Sequence, residues 1–178
     1  MRTAWSKIAV LGALIGCTSG KDATTDGDTD TGGVTVDTAD TSSEDTGPKY
    51  TIWSGAPLVF EKPDFGDPTD PANQDAISDL VVLTRGDQDS LFNVVVESSA
   101  SPGSPQGTEW AEGTTADLES LTFASLKAAA NDQMKSVPDK DFVLHLIEED
   151  IYLDVRFLSW TSGSGGGGGF SYERSTSD

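Results

Sequence analysis

Residues 151 to 160 alternate strictly between two kinds of side chain, and this period of two is the strongest constraint on the fold. One set of alternate positions is entirely apolar: Ile151, Leu153, Val155 and Phe157. The other set is mixed: Tyr152, Asp154, Arg156, Leu158 and Trp160. Neighbouring side chains of a β-strand point to opposite faces of the sheet. The pattern therefore predicts a long strand with one face in the core.

The same period recurs along the second half of the chain, whereas helical periodicity is scarce. Shorter predicted strands are residues 50–54, 58–62, 80–85, 90–97, a piece around Trp110, 142–147 and 169–174. Three carboxylates, Glu148, Glu149 and Asp150, predict a hairpin turn before the long strand. We expect an all-β chain, a single β-sandwich or jelly-roll-like domain over residues 48–178, with at most one short helix near residues 124–131.

The charge of the chain limits its partners. The formal net charge is -19, and residues 48–178 carry 22 acidic against 8 basic side chains. Nucleic acid and anionic lipid surfaces would repel such a protein, so we expect no nucleic-acid partner. Divalent cations, glycans and other surface proteins remain open as partners.

Residues 17–47 differ sharply from the rest of the chain. They contain eight Asp or Glu, one Lys, many Thr and very few large apolar side chains. A segment of this composition cannot bury enough apolar surface to offset the entropy lost on ordering. We therefore predict a disordered acidic tether between the amino terminus and the domain.

Residues 1–16 have the layout of an export signal. Arg2 and Lys7 are basic, the following eight residues are apolar, and small Gly16 precedes Cys17. An apolar run this short cannot span a bilayer, which takes roughly 20 residues. Cys17 is also the chain's single cysteine.

The ending Leu14-Ile15-Gly16-Cys17 resembles the lipobox of bacterial lipoproteins. The resemblance implies removal of residues 1–16 as a signal peptide and attachment of lipid, with acyl chains such as palmitate, to Cys17. It also implies anchorage in the bacterial cell envelope. Thr18 stands where an Asp in those families favours retention at the inner membrane, so the resemblance favours the cell outer membrane.

The end of the chain resembles secreted bacterial β domains of unassigned function. The residues that carry the resemblance are 145–147, 150–154, 157–161, the glycine run 165–169 and 170–176. It extends upstream through residues 84–86, Asn93, Glu97 and 109–111. It implies a compact, surface-displayed module, and it implies no activity.

Three features of the sequence could suggest an activity, but each has a simple structural interpretation. His145, the chain's single histidine, lies in an apolar strand and is interpreted as a packed structural residue. The tripeptide Arg85-Gly86-Asp87 falls where a hairpin needs a turn. The glycine run 165–169 lacks a following helix, so we interpret it as a flexible loop and not as a dinucleotide site.

The loop 64–75 is the strongest candidate for chemistry. Calcium takes six to eight oxygen ligands, and Asp67, Asp70, Asn73 and Asp75 lie within a span stiffened by prolines. We predict that these four residues bind calcium. The alternative is that Asp-Pro and Asn residues only form turns.

Trp160 and Leu158 are candidate ligand-binding residues, since exposed aromatic rings stack on sugar faces. The alternative is that the tryptophans pack in the core. We expect a lipid-anchored envelope protein that displays a binding or adhesion module, supported by calcium and not an enzyme. The alternatives are a polysaccharide hydrolase that uses carboxylates such as Glu97, Glu109 and Glu112, and a purely structural envelope component.

Replacing Cys17 with Ser tests the predicted anchor. A single acyl chain holds a protein only marginally, whereas two or three chains give lasting anchorage. We expect the mature wild-type protein to begin at Cys17, to carry lipid mass and to sediment with membranes. The Cys17→Ser variant should lose the lipid mass and leave the membrane fraction, and the neighbouring Thr18→Ala control should retain both. A wild-type product that begins elsewhere contradicts the prediction.

Overall fold

The computed structural model describes residues 50–162 and 165–178, which belong to a compact unit, Asp45–Asp178. The predicted signal peptide 1–16, Cys17 and the tether 17–47 lie outside the described residues, so these three stay predictions. Within the described ranges, no helix has the length and apolar character needed to cross a membrane.

The described residues are built mainly from β-strands. In chain order β1 to β9 are Thr51–Trp53, Gly55–Lys62, Asp75–Ala76, Val82–Arg85, Leu91–Asn93, Thr108–Glu112, Asp141–Leu146, Ile151–Trp160 and Phe170–Thr176. In the same ranges, helical structure is limited to a four-residue helix, α1, and three 3-10 segments: Leu126–Ala129, then Pro71–Asn73, Thr115–Ser120 and Met134–Ser136. The predicted all-β class with one short helix is confirmed.

The strands form two sheets around one core. The larger sheet has the order β2-β9-β8-β7-β6, with antiparallel neighbours, and β1 lies parallel to the start of β8. The smaller sheet is the antiparallel meander β3-β4-β5. Leu83 and Leu91 of the smaller sheet share a buried cluster with Leu144, Leu153 and Phe157 of the larger one. The arrangement is therefore sandwich-like, as predicted.

The predicted hairpin and the predicted core face are both present. β7 and β8 pair antiparallel with Leu146 opposite Ile151, and the four residues between them form the acidic turn. Leu153, Val155 and Phe157 are at most 1% exposed. The alternation of residues 151–157 therefore follows the sheet faces as the sequence predicts.

A β-bulge at Leu158 interrupts that alternation. Phe157 lies opposite Tyr172, and Trp160 lies opposite Phe170. Between these two pairs β8 advances by three residues, whereas β9 advances by two. Directly opposed residues of antiparallel strands project to the same face, and both Tyr172 and Phe170 belong to the core. Trp160 therefore lies on the core face. The prediction that Trp160 shares a face with Tyr152 and Leu158 is wrong, because the extra residue of a bulge reverses the alternation beyond it.

The end of the glycine run is packed and not flexible. Gly167, Gly168 and Gly169 are buried. A Cβ atom on Gly168, whose φ is +67°, would lie 2.0 Å from the carbonyl oxygen of Gly86. The prediction of a flexible loop is therefore wrong for these three positions, which are glycine because two backbone segments meet there.

A buried ion pair joins the two sheets. Arg174 of β9 donates from Nε and Nη2 to the two carboxylate oxygens of Asp75 of β3, at 2.7 and 2.9 Å. The hydroxyl of Tyr172 donates to the same carboxylate at 2.6 Å. All three residues are at most 5% exposed. Two parallel hydrogen bonds on a guanidinium fix both distance and angle, so this contact orients one sheet on the other.

Removal of the Asp75 carboxylate should destabilise the domain strongly. Asp75→Ala leaves the Arg174 guanidinium buried without its partner, which costs about 3–5 kcal/mol. The control is Glu112→Ala, which breaks the exposed pair of Glu112 with Lys140 and should cost less than about 1 kcal/mol. Urea denaturation gives the free energy of unfolding of each variant. If both variants lost the same free energy of unfolding, the buried pair would stabilise the domain no more than the exposed pair does, which would contradict the prediction.

The phenol of Tyr172 should make the domain sensitive to alkali. Burial, with the adjacent Asp75 charge, raises the pKa of Tyr172 well above its usual value. An unfolded tyrosine ionises near about 10, so unfolding releases a proton above that pH. The stabilisation is complete below about pH 10 and is lost as the pH rises further. Urea titrations should show a steeper fall in stability above that pH for the wild type than for Tyr172→Phe; equal slopes would refute this.

Candidate functional site

A groove of about 800 Å³ opens where β8 ends. One wall is the turn between β4 and β5, the second is the loop around residues 100–104, and the third is the segment that runs from α1 to the 3-10 turn Met134–Ser136. Trp160 and Ser162 lie at its base. Each wall comes from a different part of the chain, so the groove exists only in the folded domain.

Arg85 is fixed at the edge of this groove by backbone oxygens. It is the last residue of β4 and is 3% exposed. Its Nε donates to the carbonyl of Asp89 at 2.6 Å, and its Nη1 donates to the carbonyls of Thr161 and Gly169 at 2.8 and 3.0 Å. Burial lowers the pKa of Arg85 to about 10, so the guanidinium stays charged at neutral pH. The turn predicted for Arg85-Gly86-Asp87 is confirmed, since residues 86–90 join β4 to β5.

Trp160 lies against the Arg85 side chain. The guanidinium carbon is 3.7 Å from the centre of the indole ring, which is the geometry of a cation–π contact. The ring also contacts Phe157 and Phe170 of the core. Trp160 thus packs on the core, as the alternative interpretation predicts, and it also lines the groove. Ligand binding by Trp160 stays a prediction. Its indole face towards Arg85 is not free for a sugar to stack on.

Leu158, the other predicted ligand-binding residue, lies elsewhere. It is the bulged residue and is 42% exposed, and it is not among the residues that line the groove. The structure does not bring Leu158 and Trp160 into one site, because the bulge sends their side chains to different faces.

Ser90 contributes an unusual polar group to the groove. It lies in the β4–β5 turn and lines the groove near Arg85. Its Oγ is buried and has no hydrogen-bond partner among residues 50–162 and 165–178. Buried polar groups are nearly always hydrogen-bonded, so an oxygen that is both buried and without a partner among these residues is unusual.

Glu97 holds the loop that forms the second wall. Its Oε2 accepts hydrogen bonds from the backbone amides of Asn93 and Gln106 at 2.9 and 2.8 Å, and its Oε1 accepts one from the hydroxyl of Ser104. Asn93 is itself 1% exposed and donates to the carbonyls of Leu80 and Gln106. The Glu97 carboxylate is therefore saturated by the chain and shapes the loop.

The three glutamates considered for hydrolysis do not meet. Glu97 braces its own loop, Glu109 lies beside His145 with 3.7 Å between carboxylate and ring nitrogen, and Glu112 pairs with Lys140 at 2.9 Å. Glu109 and Glu112 are three residues apart on β6, so they project to opposite faces of the sheet. None of the three lines the groove.

His145 packs on the outer face of the larger sheet. Its ring stacks on Tyr152, with 4.1 Å between the ring centres and 2° between the planes. Its nitrogens lie 3.2 Å from Asp150 and 3.7 Å from Glu109. Burial, with the charges of Asp150 and Glu109, raises the pKa of Tyr152. The groups beside the ring nitrogens of His145 are carboxylates and not a nucleophile, and its side chain is only 12% exposed. His145 is therefore a packed structural residue, as predicted.

The oxygens of the predicted calcium loop serve as turn caps. Asp67 accepts from the amide and the hydroxyl of Thr69, both at 2.8 Å, and these bonds lower the pKa of Asp67. Asp70 accepts from the amide of Ala72 at 2.9 Å, and Asn73 donates to the carbonyl of Asp67 at 3.0 Å. The three residues lie in one turn, as the alternative interpretation predicts.

Asp75, the fourth predicted ligand, points into the core, where it would have to leave Arg174 in order to bind a metal. In the part of the chain that the structure describes, no three His, Cys, Asp or Glu side chains are grouped to hold a metal ion. Calcium binding by Asp67, Asp70 and Asn73 stays a prediction. The Asp75–Arg174 pairing could not be predicted from the sequence, since the two residues are 99 positions apart.

Comparisons of the chain with known protein families, curated proteins and solved structures found no match. The site is therefore assigned from its own geometry. The groove residues Arg85, Ser90, Lys127 and Lys135 were not predicted from the sequence as site residues. Only Arg85 carried a sequence signal, as the first residue of an Arg-Gly-Asp tripeptide, and that signal correctly indicated a turn.

Proposed function

We propose that this protein is a lipid-anchored component of the bacterial envelope whose β domain binds an extracellular glycan in the groove beside Arg85 and Trp160. The lipid anchor rests on the sequence around Cys17. The binding role rests on the groove. Its volume of about 800 Å³ lies within the range of roughly 300–1,000 Å³ that is usual for small-ligand sites.

The position of the groove supports a display function. The chain enters the domain at Tyr50, and the amide of Thr51 bonds to the carbonyl of Asp150 at the start of β8. Trp160 lies at the other end of the same strand, nine residues away, which is about 30 Å at 3.3 Å per residue. A domain tethered through its amino-terminal side thus holds the groove at its far end.

The lining of the groove suits a sugar chain. Gln88, Ser101 and Gln133 offer amides and a hydroxyl that can donate or accept hydrogen bonds, and Met134 adds apolar surface. Sugars present hydroxyl groups around an apolar ring face, so a mixed lining of this kind complements them. The single observation that carries the proposal is this preformed groove, braced by Glu97 on one wall and Arg85 on the other.

A glycan array tests the proposal. The domain of residues 45–178, labelled at its amino terminus, is applied to immobilised bacterial and plant oligosaccharides. We expect binding that is lost in Ala128→Trp, because Ala128 is exposed in α1 and lines the groove, so an indole there fills it.

The control is Val59→Trp, which adds the same side chain at a position that is 57% exposed on β2 and outside the groove. This variant should bind as the wild type does, and both variants should melt near the wild-type temperature. Absence of any array binding by the wild type, or equal loss in both variants, would overturn the proposal.

A further inference from the structure

The basic side chains of the domain are concentrated in the groove. Residues 48–178 contain 8 basic and 22 acidic side chains. Three of the 8 basic ones line the groove, namely Arg85, Lys127 and Lys135, against two of the 22 acidic ones, Asp89 and Asp132. The chain has a net charge of -19, whereas the side chains that line the groove carry a small excess of positive charge.

Among the described residues, Arg85 makes no direct ion pair with an acidic side chain. Within residues 50–162 and 165–178, no carboxylate oxygen lies within 4.0 Å of its guanidinium, and its hydrogen bonds there go to backbone carbonyls. Burial lowers the pKa of Arg85 by more than the nearby Asp64 and Asp89 carboxylates raise it, so the buried cation is only partly compensated. Its orientation by three carbonyls and by the Trp160 ring therefore favours an anion that approaches through the groove.

The lysines on the opposite wall add to this effect. Lys135 is exposed on the 3-10 turn Met134–Ser136. Lys127 lies 3.7 Å from Asp132, but both side chains are more than 60% exposed, and such pairs bind weakly. Charges beyond about 8–10 Å are largely screened at physiological salt. The nearby cations therefore outweigh the acidic remainder of the surface for a ligand inside the groove.

We infer that the groove selects anionic glycans, that is, sugars that carry a carboxylate or a sulfate. The inference rests on the proposed function and specifies its ligand class. The anionic group lies towards Arg85, Lys127 and Lys135, the three basic side chains that line the groove.

The array separates this inference from the proposed function. Each backbone is present in a neutral, a carboxylated and a sulfated form, the neutral form of the carboxylated sugars being the methyl ester. We expect hits among the anionic forms alone, with the neutral form of the same backbone at least about tenfold weaker, which corresponds to roughly 1.4 kcal/mol. The carboxylated and sulfated arms show which anion is preferred.

Neutral hits as strong as the anionic ones would overturn the inference and leave the proposed function standing. No hit at all would overturn both. Anionic hits that bind equally well to Ala128→Trp would also overturn the inference, because such binding would lie outside the groove.

Charge variants locate the anion on the tightest hit, measured by titration calorimetry. Lys135→Glu should weaken binding by about tenfold, since it reverses a nearby exposed charge. Lys140→Glu changes the net charge equally but lies outside the groove, so it should change affinity by less than about twofold. Equal effects of the two variants would indicate general repulsion and would overturn the inference.

Discussion

The contact between Asp75 and Arg174 determines how the two sheets of this domain meet. A carboxylate on a two-residue strand, β3, accepts two hydrogen bonds from a guanidinium of the last strand of the larger sheet, and both groups are buried. β3 pairs with β4, and β4 ends at Arg85. Because the ion pair fixes the orientation of the smaller sheet on the larger one, it also fixes where Arg85 lies at the edge of the groove. A buried salt bridge is weak as a source of stability but strong as a geometric constraint.

The bulge at Leu158 determines to which face of the larger sheet Trp160 projects. Without the extra residue, Trp160 would project to the outer face, and the Arg85 guanidinium would have no ring to lie on. With it, the indole closes the base of the groove and joins Phe157 and Phe170. Gly168 lets the returning chain pass against Gly86, so that the carbonyls of Thr161 and Gly169 reach Arg85. The site thus depends on backbone irregularities next to regular strands, where a sheet can redirect a side chain.

The sequence predicted the regular part of this architecture and missed its irregular part. The core face of residues 151–157, the acidic hairpin turn and the single short helix follow from patterns within about ten residues, and the structure contains each of them. The calcium loop shows the limit of such patterns. Asp67, Asp70 and Asp75 look alike along the chain, yet two cap turns and the third crosses to β9. Nothing in the spacing of carboxylates distinguishes a cap from a buried partner, because the partner lies far away in sequence.

By itself the sequence determined that residues 48–178 form strands with one apolar face, because the alternation of side chains across a strand is a local property of the backbone. It also supplied the prediction of an acidic tether and of lipid on Cys17. Only the tertiary structure decided that Trp160 turns inward, that Asp75 belongs to Arg174, and that three of the eight basic side chains of the domain gather in one groove. These three results depend on the register between strands and on loops distant in the chain. Their physical cause is close packing, which brings together residues that no short sequence window contains.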